Sequence, residues 1–234
     1  MEKTTIRIAM FSDSSRPHHR NFQALLPSDV VLEYLGNVVS EGETTSAPTV
    51  AAARAAEEAG FRGLIVSGAP REVASPTLFE DLRAAVRVPV TTALNAGAAA
   101  LLAFGAKRAL VLTPFDEPVR MGIRDNLARH QIEATVPPAV AGGPPEASGL
   151  PAEEVYRLAM DAWEANGGCD AFYFQGAVLD PLPVVDRFER DIGKPVVASN
   201  PAMLWYILSQ LGRTYHIEGY GRLLREWPRL PAAH

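Results

Sequence analysis

Short apolar runs recur along this chain, each closed by small polar residues and each followed by a stretch with helical spacing. Ile6–Phe11, Val30–Leu35, Leu64–Val66, Val88–Thr91, Arg108–Thr113, Ile132–Val136, Ala171–Phe174 and Pro195–Ala198 read as strands. Between them the apolar period lengthens. Thr49–Ala59 reads as an alanine-rich helix stopped by Gly60, Pro76–Val86 as a helix opened by proline, and Ala96–Phe104 as a helix ended by Gly105. Glu117–His130 sets Met121, Ile123 and Leu127 on one face and leaves Arg120, Arg124 and Asp125 to solvent. Ala152–Ala165 is helical up to Gly167-Gly168, as are Leu182–Asp191 and the segment opened by Ser199-Asn200-Pro201. Polar stretches from Ser12 to Arg20 and from Ser40 to Ser46 read as loops, as does the Gly- and Pro-rich stretch Val140–Pro151. In the tail, Tyr220 and Leu223 are expected to dock on the body, and Pro228–His234 to fray. Strands alternating with helices predict an α/β protein with mostly parallel sheets.

The pattern occurs twice. Gly63–Gly105 and Asp170–Leu211 run through strand, small polar turn, helix, short strand, polar turn and helix in the same order and nearly in register. This predicts an internal duplication: two α/β halves related by a pseudo-two-fold rotation, with one pocket in the cleft between them. The first half is expected over residues 1–105 with a C-terminal return over 202–234, and the second over 106–201. In open parallel sheets ligands bind outside the carboxyl ends of the strands. The turns at those ends are Ser12-Asp13-Ser14, Ser67-Gly68-Ala69, Thr92–Asn95, Thr113 to Phe115, Gln175-Gly176-Ala177 and Ser199-Asn200. They offer hydroxyls, amides and backbone N–H groups with few charges, which suits a small carboxylate and an enediolate formed beside it. Each turn taken singly is equally well explained by turn chemistry; their convergence from both halves is the stronger signal.

Composition narrows the chemistry. Of 234 residues, 47% are hydrophobic and 21% charged, with a net charge of −5, and no basic stripe points to nucleic acid. No apolar run is long enough to suggest a membrane span, and the N-terminus lacks the apolar core of a signal peptide, so a cytoplasmic location is expected. Glycine-rich nucleotide fingerprints, a G-x-S-x-G elbow and clusters with metal-ligand spacing are missing from the sequence. The one cysteine, Cys169, precedes its strand and is expected to be a packed small residue away from the pocket. Asp13 follows a strand at the pocket end and is the candidate acid or base, with His18 and His19 of the next loop as competitors.

Gly105–Phe115 (GAKRALVLTPF), Gly193–Ala202 (GKPVVASNPA) and the tail Gly219–Leu223 resemble the aspartate/glutamate racemase superfamily, nearest to arylmalonate decarboxylase and maleate cis–trans isomerase. The resemblance covers nearly the whole chain and is weakest before Gly60. It implies two similar α/β halves with the active site between them, cofactor-independent chemistry on a small carboxylic acid or related carbonyl compound, and often a homodimer. It also implies a catalytic cysteine after a strand in each half. The matching positions here are Gly68 and Gly176, and the decarboxylase's pocket tyrosine matches Phe115. Asp13-Ser14 resembles the Asp-Ser of glutamate racemases, where the aspartate assists proton transfer. The expectation is therefore a lyase or isomerase whose chemistry has been altered by loss of both thiols. A carboxylate-binding protein without catalysis, and a hydrolase using Asp13 or a loop histidine, remain as alternatives.

Overall fold

The computed structural model describes residues 5–12, 18–36, 38 and 45–232. Among these residues the strands form two four-stranded sheets. The first contains β1 (Ile6–Phe11), β2 (Val30–Tyr34), β3 (Gly63–Val66) and β4 (Val90–Thr92), in the order β2-β1-β3-β4. The second contains β5 (Arg108–Leu112), β6 (Glu133–Thr135), β7 (Ala171–Phe174) and β8 (Val196–Ala198), in the order β6-β5-β7-β8. Every pairing is parallel, and the registers correspond: Phe11 lies beside Val66 in one sheet, Leu112 beside Phe174 in the other. Every residue of β3 and β7 is buried. That is why both read as unbroken apolar runs rather than as alternation, since a parallel sheet is covered on both faces.

The helices of the first half are α1 (His18–Ala24), α2 (Ala47–Glu58), α3 (Ala69–Ala74), α4 (Leu78–Ala85) and α5 (Ala93–Ala103). Those of the second are α6 (Glu117–Arg129), α7 (Pro144–Ala147), α8 (Ala152–Ala165), α9 (Val185–Ile192) and α10 (Ser199–Gln210), with α11 (Arg222–Glu226) in the tail. A 3₁₀ turn, Ala177–Leu179, takes the place after β7 that α3 takes after β3.

The halves are joined by their last helices. Helices α5 and α10 pack on each other; α10 also covers β3 and β4, and α5 reaches β7 and β8. Two glycines permit this approach. A Cβ on Gly97 of α5 would sit 2.1 Å from the Tyr173 hydroxyl of β7, and one on Gly63 of β3 would sit 2.6 Å from Ile207 of α10. The buried Tyr173 hydroxyl donates to the Ala93 carbonyl at 3.2 Å, so its polar end is satisfied across the junction. The same exchange recurs at the strand ends: α3 packs on α6, and the 3₁₀ turn packs on α1.

The structure departs from the sequence reading in five places. Residues 18–20, expected in a loop, open α1, and the chain around it is anchored by the buried Phe22 and Leu25. The turn after β3 continues into α3, with Pro70 in its first turn. Within the expected loop Val140–Pro151, α7 forms and buries Ala147. Arg120 is not simply solvated, because its Nη1 donates to the Val136 and Pro137 carbonyls and ties down the exit from β6. In the tail, Leu223 is buried as expected, but the chain after it does not peel away: the Pro228 carbonyl accepts from the indole of buried Trp205 at 3.0 Å. The buried Glu189 carboxylate holds the tail start, accepting from Val196 N–H at 2.8 Å and Arg222 N–H at 2.6 Å.

Candidate functional site

Among the described residues, the turns singled out in the sequence lie at the carboxyl ends of strands, but they differ in what they touch. Asp13 and Ser14 lie outside the described residues. Ser12 is buried directly after β1, as Thr113 is after β5. Ser67 donates to the Phe11 carbonyl at 3.4 Å, lacing the end of β3 to the end of β1. Asn95 is taken up by its own helix: its N–H donates to the Thr92 hydroxyl at 3.3 Å and its side-chain oxygen accepts from the Thr91 hydroxyl at 3.0 Å. That is N-cap chemistry at the start of α5. Ala69 is fully buried, whereas Gly68 is exposed and a Cβ there would meet nothing within 4 Å.

Gly68 and Gly176 share a backbone conformation, φ 97° and ψ 106° for one, φ 115° and ψ 100° for the other. Positive φ of this kind is reached readily only without a Cβ. At Gly176 a Cβ would also press on Pro114 at 2.9 Å, with the Phe115 ring at 3.4 Å. The Thr113 to Phe115 turn therefore closes over Gly176, and the Thr113 hydroxyl donates to the Gln175 side-chain oxygen at 3.4 Å. Cys169 stands at the other end of β7; it is buried, and burial pushes its thiol up, away from the reactive thiolate.

A small recess, with enclosed room for about one water molecule, opens at the ends of β7 and β8. Gly176, Ala177, Ser199 and Asn200 line it, together with Phe174, Leu182, Ala198, two prolines and Asp180. Ser67, Gly68, Ala69, Asn95, Thr113, Phe115 and Gln175 are not among its lining residues. The Ser199 hydroxyl accepts from Gly176 N–H at 3.2 Å and donates to the Phe174 carbonyl at 3.3 Å, so it organises the turn. The buried Asn200 side-chain oxygen has no partner among the described residues.

Sequence reasoning missed two carboxyl groups, Asp180 in this recess and Glu72 outside its lining, against the start of α5. Glu72 follows Gly68 by four positions, and Asp180 follows Gly176 by four. Aligning the two repeats on their glycines places one acid on the other, and that is the signal that could have found them. Glu72 is 6% exposed; its Oε2 accepts from Leu94 N–H at 3.0 Å at the start of α5. Burial pushes its carboxyl up to about 7, against the opposing pull of the Thr92 hydroxyl and the Leu94 N–H. Asp180 is half-buried, and burial raises its carboxyl above the usual range while the Asn21 amide of α1 opposes. Arg71, in α3, is partly buried, and its Nη1 has no partner among the described residues. The set thus comprises two carboxyls whose hold on a proton burial strengthens, and a guanidinium whose Nη1 has no partner among the described residues.

An internally duplicated, parallel α/β protein with a polar recess at its strand ends is the class that these features define. The family model described as arylmalonate decarboxylase matches residues 50–224. A maleate isomerase of Alcaligenes faecalis is 27% identical over 145 residues, 59% of this chain and 55% of that protein, so the match spans about half of the relative's length. A crystal structure of arylmalonate decarboxylase superposes with a TM-score of 0.73 at 22% identity, covering 93% of this chain and 98% of the other. A variant of the maleate isomerase Iso of Pseudomonas putida S16, solved with maleate, gives 0.76 at 17% identity, covering 94% and 97%. Nocardia farcinica maleate cis–trans isomerase, in a variant with a covalently bound succinylcysteine intermediate, gives 0.75 at 19% identity, covering 95% and 99%. The chain belongs to the arylmalonate decarboxylase and maleate isomerase family, within the aspartate/glutamate racemase superfamily. Among the described residues no helix is long and apolar enough to cross a membrane, and no group of three or more His, Cys, Asp or Glu could hold a metal ion.

Proposed function

We propose that this chain is a cofactor-independent lyase or isomerase acting on a small carboxylic acid or related carbonyl compound, and that its acid–base chemistry runs on carboxyl oxygens in place of sulfur. The observation that carries this reading is the pair Gly68 and Gly176, at equivalent strand ends and in the same backbone conformation, with the chain's one thiol at the far end of β7. A succinylcysteine of the kind held by the Nocardia relative needs a thiolate beside the double bond. A glycine has no side chain to supply it. Two features support a carboxylate substrate: an Arg71 Nη1 with no partner among the described residues, and carboxyls whose burial strengthens their hold on a proton. Loss of CO₂, or of a proton, next to a carboxylate leaves an electron pair delocalised as an enediolate. Preorganised donors stabilise that charge as it forms, and a positioned acid then returns a proton to carbon.

In the first half that acid is Asp13, directly after Ser12 at the end of β1. The test is a panel of malonates, maleate, amino acids and small lactones. At least one should be converted, and Asp13→Asn should lower turnover by roughly 10²–10⁴-fold, the usual share of general acid–base catalysis. His18→Ala and His19→Ala serve as controls for a competing base. If Asp13→Asn leaves turnover intact and a histidine variant abolishes it, the role passes to that histidine. The second reading, a carboxylate-binding protein without catalysis, is favoured by the same two glycines and predicts binding of a panel member with no conversion of any.

A further inference from the structure

Asp180 stands in the recess with only half of its carboxyl engaged. Its Oδ2 accepts from the Asn21 amide, whereas Oδ1 is buried and has no partner among the described residues. The Asn200 side-chain oxygen, lining the same recess, is in the same state. Two buried acceptors without donors are costly as they stand, and a carboxylate ligand would add further acceptors. A hydrogen on Asp180 turns one of these acceptors into a donor that such a ligand can use. Since Asn21 already donates to Oδ2, the oxygen left to carry that hydrogen is Oδ1. The backbone at Asp180 is left-handed, φ 44°, a conformation that Asp and Asn adopt more readily than other side chains, and such residues cluster at functional sites.

We propose that Asp180 is the proton donor of the second half, and that its Oδ1–H serves a carboxylate-bearing ligand at the mouth of the recess, so that ligand and proton bind together. The inference rests on the ligand class of the proposed function and adds a residue to it. In a reaction, the O–H bond of Asp180 breaks as a C–H bond forms at the enediolate carbon, whose electron pair makes the new bond. Asp180 is left as carboxylate and regains its proton from water. Of the elements packed on the turn that leads to Asp180, α1 carries His18, His19 and Arg20 in its sequence and α7 carries Glu146. Burial, opposed by the Asn21 amide, is what moves the Asp180 carboxyl.

The experiment is isothermal titration of the full chain with maleate and with malonate, each in two buffers of different protonation enthalpy, across the pH range in which Asp180 ionises in the free protein. The wild type should take up about one proton per ligand once free Asp180 is ionised, and affinity should fall about tenfold per pH unit there. Asp180→Asn should bind with no uptake and a flat affinity profile. Asn suits the left-handed backbone and can still accept from Asn21, so the fold is kept. Asn21→Ala removes a group that favours the ionised form, and should move the break in affinity to higher pH. Equal uptake in wild type and Asp180→Asn, no uptake in either, or no binding of either acid overturns the proposal. Turnover plays no part in this readout. A chain that converts nothing still shows the uptake if Asp180 is the donor, and turnover that survives Asp180→Asn with an unchanged pH profile removes the donor while leaving the reaction class standing.

Discussion

Glu72 makes the stability of this protein depend on pH in a direction opposite to that of an ion-paired carboxylate. Its carboxyl rises from 4.5 to about 7 in the folded chain, chiefly through burial. The folded state therefore binds the proton more tightly than the unfolded one. The stability that neutral Glu72 contributes is full below about pH 4.5, is lost as pH rises through 7, and changes little above it. A displacement of that size corresponds to about 3 kcal/mol. Glu72→Gln keeps a carbonyl to accept from Leu94 N–H and cannot ionise. Urea melts followed by tryptophan fluorescence should give variant and wild type similar stability near pH 4.5. By about pH 8.5 the variant should be the more stable by about 3 kcal/mol, a gap in melting temperature on the order of 6–12 °C for a chain of this size. All other titrating groups are common to both proteins, so the difference between the curves isolates Glu72. A gap that is the same at both pH values, or that favours the wild type at high pH, would refute the reasoning.

Gly97→Ala should be among the most damaging single-methyl additions, because the new Cβ falls 2.1 Å from the buried Tyr173 hydroxyl. A loss of about 1–3 kcal/mol or more is expected by chemical denaturation, and an unchanged midpoint would show that β7 and α5 can slide apart. Cys169→Ser should cost about 1 kcal/mol at most and leave any turnover in place; loss of activity on thiol alkylation of a folded protein would return sulfur to the mechanism.

The strands were legible because a parallel strand buried on both faces leaves a run such as AFYF or GLIV with nothing polar in it. The duplication was legible because both halves use the same order of runs and turns. What escaped was short or isolated. Helix α1 shows only Phe22 and Leu25 as an apolar spacing amid polar residues, and α3 is six residues long, too brief for a period to emerge. Of the turns singled out, Gly176-Ala177 and Ser199-Asn200 meet at one recess, because Ser199 ties Gly176 to β7 and α10 begins beside it. Nothing local in the sequence sets Glu72 and Asp180 apart from the chain's other acids. A carboxyl's burial is set by what folds over it, here the start of α5 and helix α1, and neither is adjacent in sequence.

The exchange of the last helices has a consequence for how the chain must emerge from the ribosome. The first sheet is complete once β4 has been made, yet the helix that covers β3 and β4, α10, begins more than a hundred residues later at Ser199. Until then Gly63 and its neighbours face outward as a bare apolar surface, and α5, buried on nearly every side in the finished protein, has neither α10 nor β7 to lie on. The nascent first half is thus a sticky intermediate for most of its synthesis. Chaperone dependence should follow the time spent translating residues 104–198, and slowing codons in that interval should lower soluble yield without changing a single amino acid.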